Sequence, residues 1–309
     1  MTKIALFSTS SRTIETAKVL KDNFKLDLIV TKTDKIVGRN KNPESNEIKK
    51  FAIENSIDFI EIEKFDLAKK EEVFEKMQEK EIELAVSFDF GFIIPEKLFN
   101  YPKYKFINIH FSLLPKHRGA SAVQFAILGD EQEYGITYHY VSAKLDCGEI
   151  LYQSVYPLNE GFNSAEAYEF LFKETSKEIV NVLKDIISEK LTPKQQNEDF
   201  SSITYSKTNP KHTFIFKEDA YSDLNEAERL LFRKIKAYNP WPILYTEIKN
   251  LSKLNQFKNL KLKKNVDENL IVKISDANFK NNHLEITELT PSGKKKTLIK
   301  EFINGFFEK

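Results

Sequence analysis

A single cysteine in 309 residues, Cys147, leaves no partner for an internal disulfide and rules out a zinc site built on cysteine clusters. Long apolar runs are missing too, so nothing in the chain is suited to cross a bilayer as a helix. The first residues, MTKIALFSTS, lack the apolar segment and small-residue cleavage site of a secretory signal and read as a strand. A cytoplasmic protein with no membrane partner is the expectation. Arginine is the third scarcity. Of 47 basic residues only Arg12, Arg39, Arg118, Arg229 and Arg233 are arginines, which points to places where a planar, forked donor is wanted.

What is present is 41% hydrophobic and 30% charged, with enough length for two domains that each bury a core. Net charge is +1, but residues 206–309 hold 20 Lys+Arg against 13 Asp+Glu, leaving 27 against 33 in residues 1–205. An acidic front and a basic rear point to a polyanion at the rear; the plain alternative is the local excess of any lysine-rich chain.

Apolar spacing alternates strand and helix along the front. Residues 3–9, 26–31, 58–62 and 83–95 read as strands, and 13–24, a stretch from about 45, and 69–82 as helices. That order predicts βαβ units and a mostly parallel sheet covered on both faces. Ligands of such sheets sit beyond the carboxyl ends of the strands, here residues 8–11, 31–35, 89–91 and 110–114. A helix at 121–129, a strand at 135–142 and a long helix from about 164 to 190, capped by Ser164, complete a first domain over 1–190. Residues 191–205 are polar and read as a linker. In 206–309 a helix at 227–238 is broken by Asn-Pro-Trp-Pro, and short alternating runs follow, the pattern of a small antiparallel β-barrel.

The chemistry concentrates in residues 106–119, FINIHFSLLPKHRG, and in KLDCGEI at 144–150. Alternation from Phe106 to Phe111 puts Asn108, His110 and Ser112 on one face, and Pro115 and Gly119 end the strand. An amide and an imidazole two residues apart at a strand end can reach one oxygen atom. Asp146, in a turn beside Gly148, supplies a carboxylate for such a histidine. The three suit acyl transfer without a covalent intermediate, although each alone is also what a half-exposed strand or a common turn contains.

Residues 106–153 resemble the folate-dependent formyltransferases, with Asn-x-His, Ser-Leu-Leu-Pro, Arg-Gly and Asp-x-Gly in order and spacing. Four further stretches are similar to the methionyl-tRNA formyltransferase branch: VTKTDKIVGRNKN (30–42), SFDFGFIIPEKL (87–98), AYNPWPILYTEI (237–248) and ELTPSGKKK (288–296). In fold this resemblance implies an α/β protein, a Rossmann-like formyltransferase domain followed by a small C-terminal OB-like barrel that binds tRNA. In activity it implies transfer of a formyl group from 10-formyltetrahydrofolate to the amino group of initiator methionyl-tRNA, by a monomer that uses no metal and binds no DNA. Asn108 and His110 would stabilise the oxygen of the tetrahedral intermediate, while Asp146 orients His110 and helps carry protons. Ser112, Leu113, Leu114 and Pro115 would line the folate site with Phe90 and Gly91 of the 88–94 turn; Phe90 and Ile94 read equally as plain core. Arg39 and Lys41, with Lys35 nearby, would meet the tRNA acceptor end, and Lys294, Lys295 and Lys296 its stem. Arg118 would fix the loop after the folate strand and Cys147 would only pack. His117, His139, His212 and His283 are expected to be structural or surface residues.

Two stretches depart from that branch. Its first loop usually reads Phe-x-Gly-Thr-Pro-x-Phe, where this chain has Phe-Ser-Thr-Ser-Ser-Arg-Thr at 7–13, and residues 207–220 match its linker poorly. Other readings stay open: formylation of a nucleotide-linked amino sugar, hydrolysis of the same folate, or a tRNA-binding paralogue without catalysis.

Overall fold

The switch between apolar periods of 2 and 3.6 residues is realised as alternating strands and helices in the computed structural model, which describes residues 1–37, 42–44 and 46–308. In chain order the front comprises β1 (Lys3–Phe7), α1 (Ile14–Asn23), β2 (Lys25–Lys32), β3 (Lys35–Val37), β4 (Asn42–Glu44), α2 (Glu47–Glu54), β5 (Asp58–Ile62) and α3 (Leu67–Glu79). It continues with β6 (Leu84–Phe88), α4 (Glu96–Phe99), β7 (Phe106–His110), α5 (Ala122–Leu128), β8 (Glu133–Tyr140), β9 (Ile150–Pro157) and α6 (Ser164–Ile187).

The main sheet has the order β5-β2-β1-β6-β7-β8-β9. The five strands from β5 to β7 pair in parallel, and β8 runs antiparallel to β7. This is the mostly parallel, Rossmann-like sheet expected from the βαβ pattern. One of its cores joins Ala5, Phe7, Leu28, Val30, Ile60, Ile62 and Ala85 of the strands to Val73 and Met77 of α3. Strand β9 had no counterpart in the sequence reading. Tyr152 and Val155 are exposed on it, so its apolar residues carry no clean inward alternation.

Two compact units emerge. The first comprises Met1–Arg118, Gly135–Val155 and Glu169–Ser202, and the second Gly119–Tyr134, Tyr156–Tyr168 and Ile203–Lys309. The cut thus falls at 202/203, and segments 119–134 and 156–168 group with the second unit. Within the first unit, part of the stretch read as a linker is bonded in place: Lys194 exchanges backbone hydrogen bonds of 2.8 Å with Ile150.

The second unit contains α7 (Glu228–Tyr238), β10 (Leu244–Glu247), β11 (Lys261–Leu262), β12 (Ile271–Lys280), β13 (His283–Pro291), β14 (Thr297–Leu298), α8 (Ile299–Phe306) and β15 (Phe307–Glu308). Antiparallel pairing gives a four-stranded sheet, β10-β12-β13-β14, and a two-stranded one, β11-β15. Helix α7 packs on α5 and on β12. Arg229 grips Asp130 with Nε and Nη2 at 2.9 and 2.8 Å, and Arg233 reaches the same carboxylate. The N-terminus of α6 corrects one expectation. Asn163, rather than Ser164, caps it, accepting from Glu166 N while Glu166 accepts from Asn163 N; Ser164 Oγ instead donates to the Asn239 carbonyl at 2.6 Å. Among the described residues no helix is long and apolar enough to cross a membrane.

Candidate active site

Strand register builds this site. β7 and β8 pair so that Asn108 lies opposite His139 and His110 opposite Thr137. Cross-strand partners on one face of an antiparallel pair are within side-chain reach, and here Asn108 Nδ2 lies 3.1 Å from His139 Nε2. His139 Nδ1 is 2.9 Å from the Tyr140 carbonyl, which only accepts, so Nδ1 carries the proton and Nε2 is the acceptor. The Asn108 amide must therefore present its NH2 group to His139, which fixes its orientation. Burial pushes the pKa of His139 down to about 4, against the pull of Asp146 and with a further push from His110, and the ring is neutral at pH 7. Of the two places expected for His139, structural or surface, it takes the first: it is 2% exposed, and its partner is the amide expected to act.

His110, 8% exposed, donates from Nε2 to the His117 carbonyl at 2.9 Å. Its Nδ1 lies 3.7 Å from Asp146 Oδ2, and Asp146 Oδ1 lies 3.8 Å from His139 Nε2. Asn108, His110, Asp146 and His139 therefore form one array at the carboxyl end of β7. His117 takes part through its backbone, held at φ 57° by a bond from its N–H to Ser202 Oγ at 2.8 Å.

The turn that carries Asp146 is tied from below. Asp146 has φ 50°, a left-handed conformation that a short polar side chain tolerates. At Gly148 a Cβ would lie 1.7 Å from the Tyr140 carbonyl, so only glycine lets the turn close on the end of β8. Gln196 donates from Nε2 to the carbonyls of Asp146 and Gly148, both at 2.8 Å. Its own oxygen accepts from Arg118 Nε and Nη2 at 3.1 and 2.8 Å, and Arg118 also forks onto Glu198 at 2.9 and 2.8 Å. Arg118, expected to fix the loop after the folate strand, thus braces the Asp146 turn, through two residues of the presumed linker that were not singled out. Cys147 bonds weakly to the Leu145 carbonyl, and burial raises its thiol pKa, which suits a packing role.

The expected folate-lining segment follows directly. Ser112 Oγ donates to the Lys116 carbonyl at 2.7 Å, Thr137 Oγ1 donates to the Ser112 carbonyl at 2.6 Å, and Gln153 donates to Leu114 O at 3.0 Å. The Leu114–Pro115 peptide is cis. Leu113 fills the space left by Gly135, where a Cβ would lie 2.5 Å from it. Phe90 is half-buried and makes edge contacts with Phe7 and Phe65; Gly91 beside it is exposed. The divergent first loop is polar and closed on itself. Ser8 and Thr13 hydroxyls lie 2.6 Å apart, and Arg12 pairs with Asp89 at 2.8 Å beside the 88–94 turn.

Arg39 and Lys41 lie outside the described residues, and the side chain of Lys35 does too. In the second unit Lys294, Lys295 and Lys296 follow an exposed turn at Gly293; Lys294 sits 4.5 Å over the Phe306 ring and Lys296 pairs with Glu288 at 2.6 Å. His283 is at the surface.

Residues 2–183 match the family model described as formyl transferase, and residues 215–306 that of the formyl transferase C-terminal domain. The chain is 28% identical to a methionyl-tRNA formyltransferase of Bacillus licheniformis, over 99% of this chain and 95% of that protein. It is 31% identical to one of Thermodesulfovibrio yellowstonii over 91% and 88%. Among solved structures, an N-formyltransferase of Helicobacter canadensis in complex with folinic acid and dTDP-3-aminofucose superposes with TM-score 0.64 at 22% identity, covering 91% of this chain and 89% of that one. A methionyl-tRNA formyltransferase of Clostridium thermocellum superposes with TM-score 0.57 at 16% identity, covering 94% and 99%. The chain belongs to the formyl transferase family, enzymes that move a formyl group from a folate donor.

Proposed function

We propose that this enzyme transfers the formyl group of 10-formyltetrahydrofolate to the amino group of methionyl-tRNA. The observation that carries the chemistry is the array of Asn108, His110 and Asp146, with His139 fixing the amide. The neutral amine attacks the formyl carbon and a C–N bond forms. Negative charge grows on the formyl oxygen, where the second N–H of Asn108 and a proton on His110 Nδ1, its Nε2 being taken up by the His117 carbonyl, are the donors; one such donor is worth roughly 3 kcal/mol. Asp146 takes up the proton that the attacking nitrogen must lose. His110 shares it toward N10 of the folate, the C–N10 bond breaks, and tetrahydrofolate leaves. Chain and relatives match over nearly their whole lengths, second unit included, which favours the tRNA acceptor. The basic balance of residues 206–309 suits it also. Arg39 and Lys41, and Lys295 in the exposed lysine run, are the assigned phosphate contacts.

A second reading, an amino sugar linked to a nucleotide, is favoured by one feature: the hydroxyl-rich loop at residues 8–13, which is more polar than a methionine side chain needs. Formyl incorporation from 10-formyltetrahydrofolate into charged initiator tRNA, compared with dTDP-amino sugars at equal concentration, separates the two. Formyl-methionyl-tRNA as the dominant product is expected; formyl-sugar alone would move the acceptor and leave Asn108, His110 and Asp146 in place.

A further inference from the structure

Residues 207–220, one of the two stretches that depart from the family pattern, make a feature the catalytic site does not use. Across SKTNPKHTFIFK (206–217) there are three lysines and no carboxylate. The run His-Thr-Phe-Ile-Phe alternates: Ile215 is buried at 5% exposure, while His212 and Phe214 are exposed, Phe214 at 47%. The three rings on the outer face touch one another, His212 to Phe214 at 5.1 Å, His212 to Phe216 at 5.4 Å and Phe214 to Phe216 at 4.7 Å between centroids. Lys207, Lys211 and Lys217 are all exposed around them.

This surface is pre-shaped. Asp219, buried inside the loop, accepts from Phe216 N at 2.7 Å, Thr208 N at 2.7 Å, Thr208 Oγ1 at 2.8 Å and Ser206 Oγ at 2.8 Å. Ser206 N bonds to the His212 carbonyl at 2.9 Å, and Thr204 Oγ1 to the Thr213 carbonyl at 3.0 Å. Gly119 is required beneath it, since a Cβ there would lie 2.6 and 2.7 Å from Thr204 and Thr213. An exposed aromatic held so firmly incurs little ordering cost when something stacks on it.

We propose that His212, Phe214 and Phe216, ringed by Lys207, Lys211 and Lys217, form a stacking platform for unpaired terminal nucleotides of an RNA. Rings take the faces of bases whatever their identity, and the lysines take the phosphates between them. An acidic peptide would be drawn by the same charges but has no use for three adjoining ring faces; a duplex keeps its bases stacked on each other and offers none. The assignment of RNA as the natural ligand rests on the acceptor proposed above, yet the surface is testable apart from it.

The probes are a twelve-nucleotide single-stranded RNA ending in CCA and a blunt duplex RNA of the same composition, titrated against the full chain. The single strand is expected to bind more tightly, Phe214→Ala to weaken it about tenfold, and Phe214→Trp to restore it. Lys211→Gln with Lys217→Gln, which touches no packing, should flatten the slope of log affinity against log salt by about 1.4. Equal binding by the native protein and Phe214→Ala with an unchanged salt slope in the lysine variant, or equal affinity for the duplex, overturns the platform. Formylation of charged tRNA by the native protein, run alongside, keeps the two ideas apart. If formylation fails while Phe214-dependent strand binding holds, the acceptor falls and the surface stands; the reverse result removes the surface alone.

Discussion

Asp146 and Asp219 are both sunken carboxylates, one in each unit, held in opposite ways. Asp219 is ringed by two backbone amides and two hydroxyls at 2.7–2.8 Å, none of which changes charge between pH 4 and 9. Burial pushes its pKa up, but those hydrogen bonds outweigh burial and hold it below the ordinary carboxylate value. Asp146 faces two imidazoles, His110 with Nδ1 at 3.7 Å and His139 with Nε2 at 3.8 Å, and an imidazole nitrogen can both give and take a proton. A carboxylate among fixed donors is a fastener. One beside imidazoles suits the proton transfer proposed for Asp146.

Substitution should separate the two roles. Asp146→Asn is expected to cut turnover by about a thousandfold, within the range for removing a general base, while the melting temperature shifts by only a few degrees. Steady-state rates with a thermal scan check it, and turnover within tenfold of native would strip Asp146 of its role. Asp219→Ala should do the reverse. Two partly buried backbone amides lose their acceptor, at ~1 kcal/mol each, so unfolding in urea should show a loss on the order of 2 kcal/mol with turnover per folded molecule near native. The sign follows from its lowered pKa: the stability that Asp219 contributes is present at neutral pH and fades as pH falls through about 4 and below.

The half of this contrast that lay in the sequence was the half carried by local pattern. Alternation placed Asn108 and His110 on one face of a strand, and the Asp-x-Gly turn marked Asp146, because strand period and turn chemistry are short-range properties. The βαβ order likewise announced the parallel sheet. Arginine scarcity was informative as well: Arg118 and Arg229 make forked contacts, Arg12 and Arg233 pair with carboxylates, and only Arg39 lies outside the described residues. What stayed hidden depended on register and chain return. His139 could be put on a strand but not opposite Asn108, since nothing local states how β7 and β8 align. Gln196 looked like linker because its partners, the Asp146 and Gly148 carbonyls, are about fifty residues away. Ser164 was read as the cap of α6, and the reciprocal bond with Glu166 gives that place to Asn163 instead.

His139 sharpens the contrast most finely, because it is a titratable group used as a fastener. Its pKa of about 4 in the folded chain lies below the ~6.5 of an unfolded histidine. Between those values the unfolded chain binds the proton and the folded one does not, so stability falls as pH drops from about 6.5 toward 4 and then levels off. The full swing is about 3 kcal/mol. Urea unfolding at pH 7, 5.5 and 4 should therefore show native and His139→Gln curves converging as pH falls, since glutamine has nothing to titrate; parallel curves would mean that the ring is not held neutral. A second substitution at this position reads its effect on catalysis. His139→Leu removes the acceptor that orients Asn108 and should lower kcat about tenfold with the folate KM unchanged. Glutamine, whose side-chain oxygen can accept from the same amide, should recover most of that loss, a split that a purely structural role for His139 would not produce.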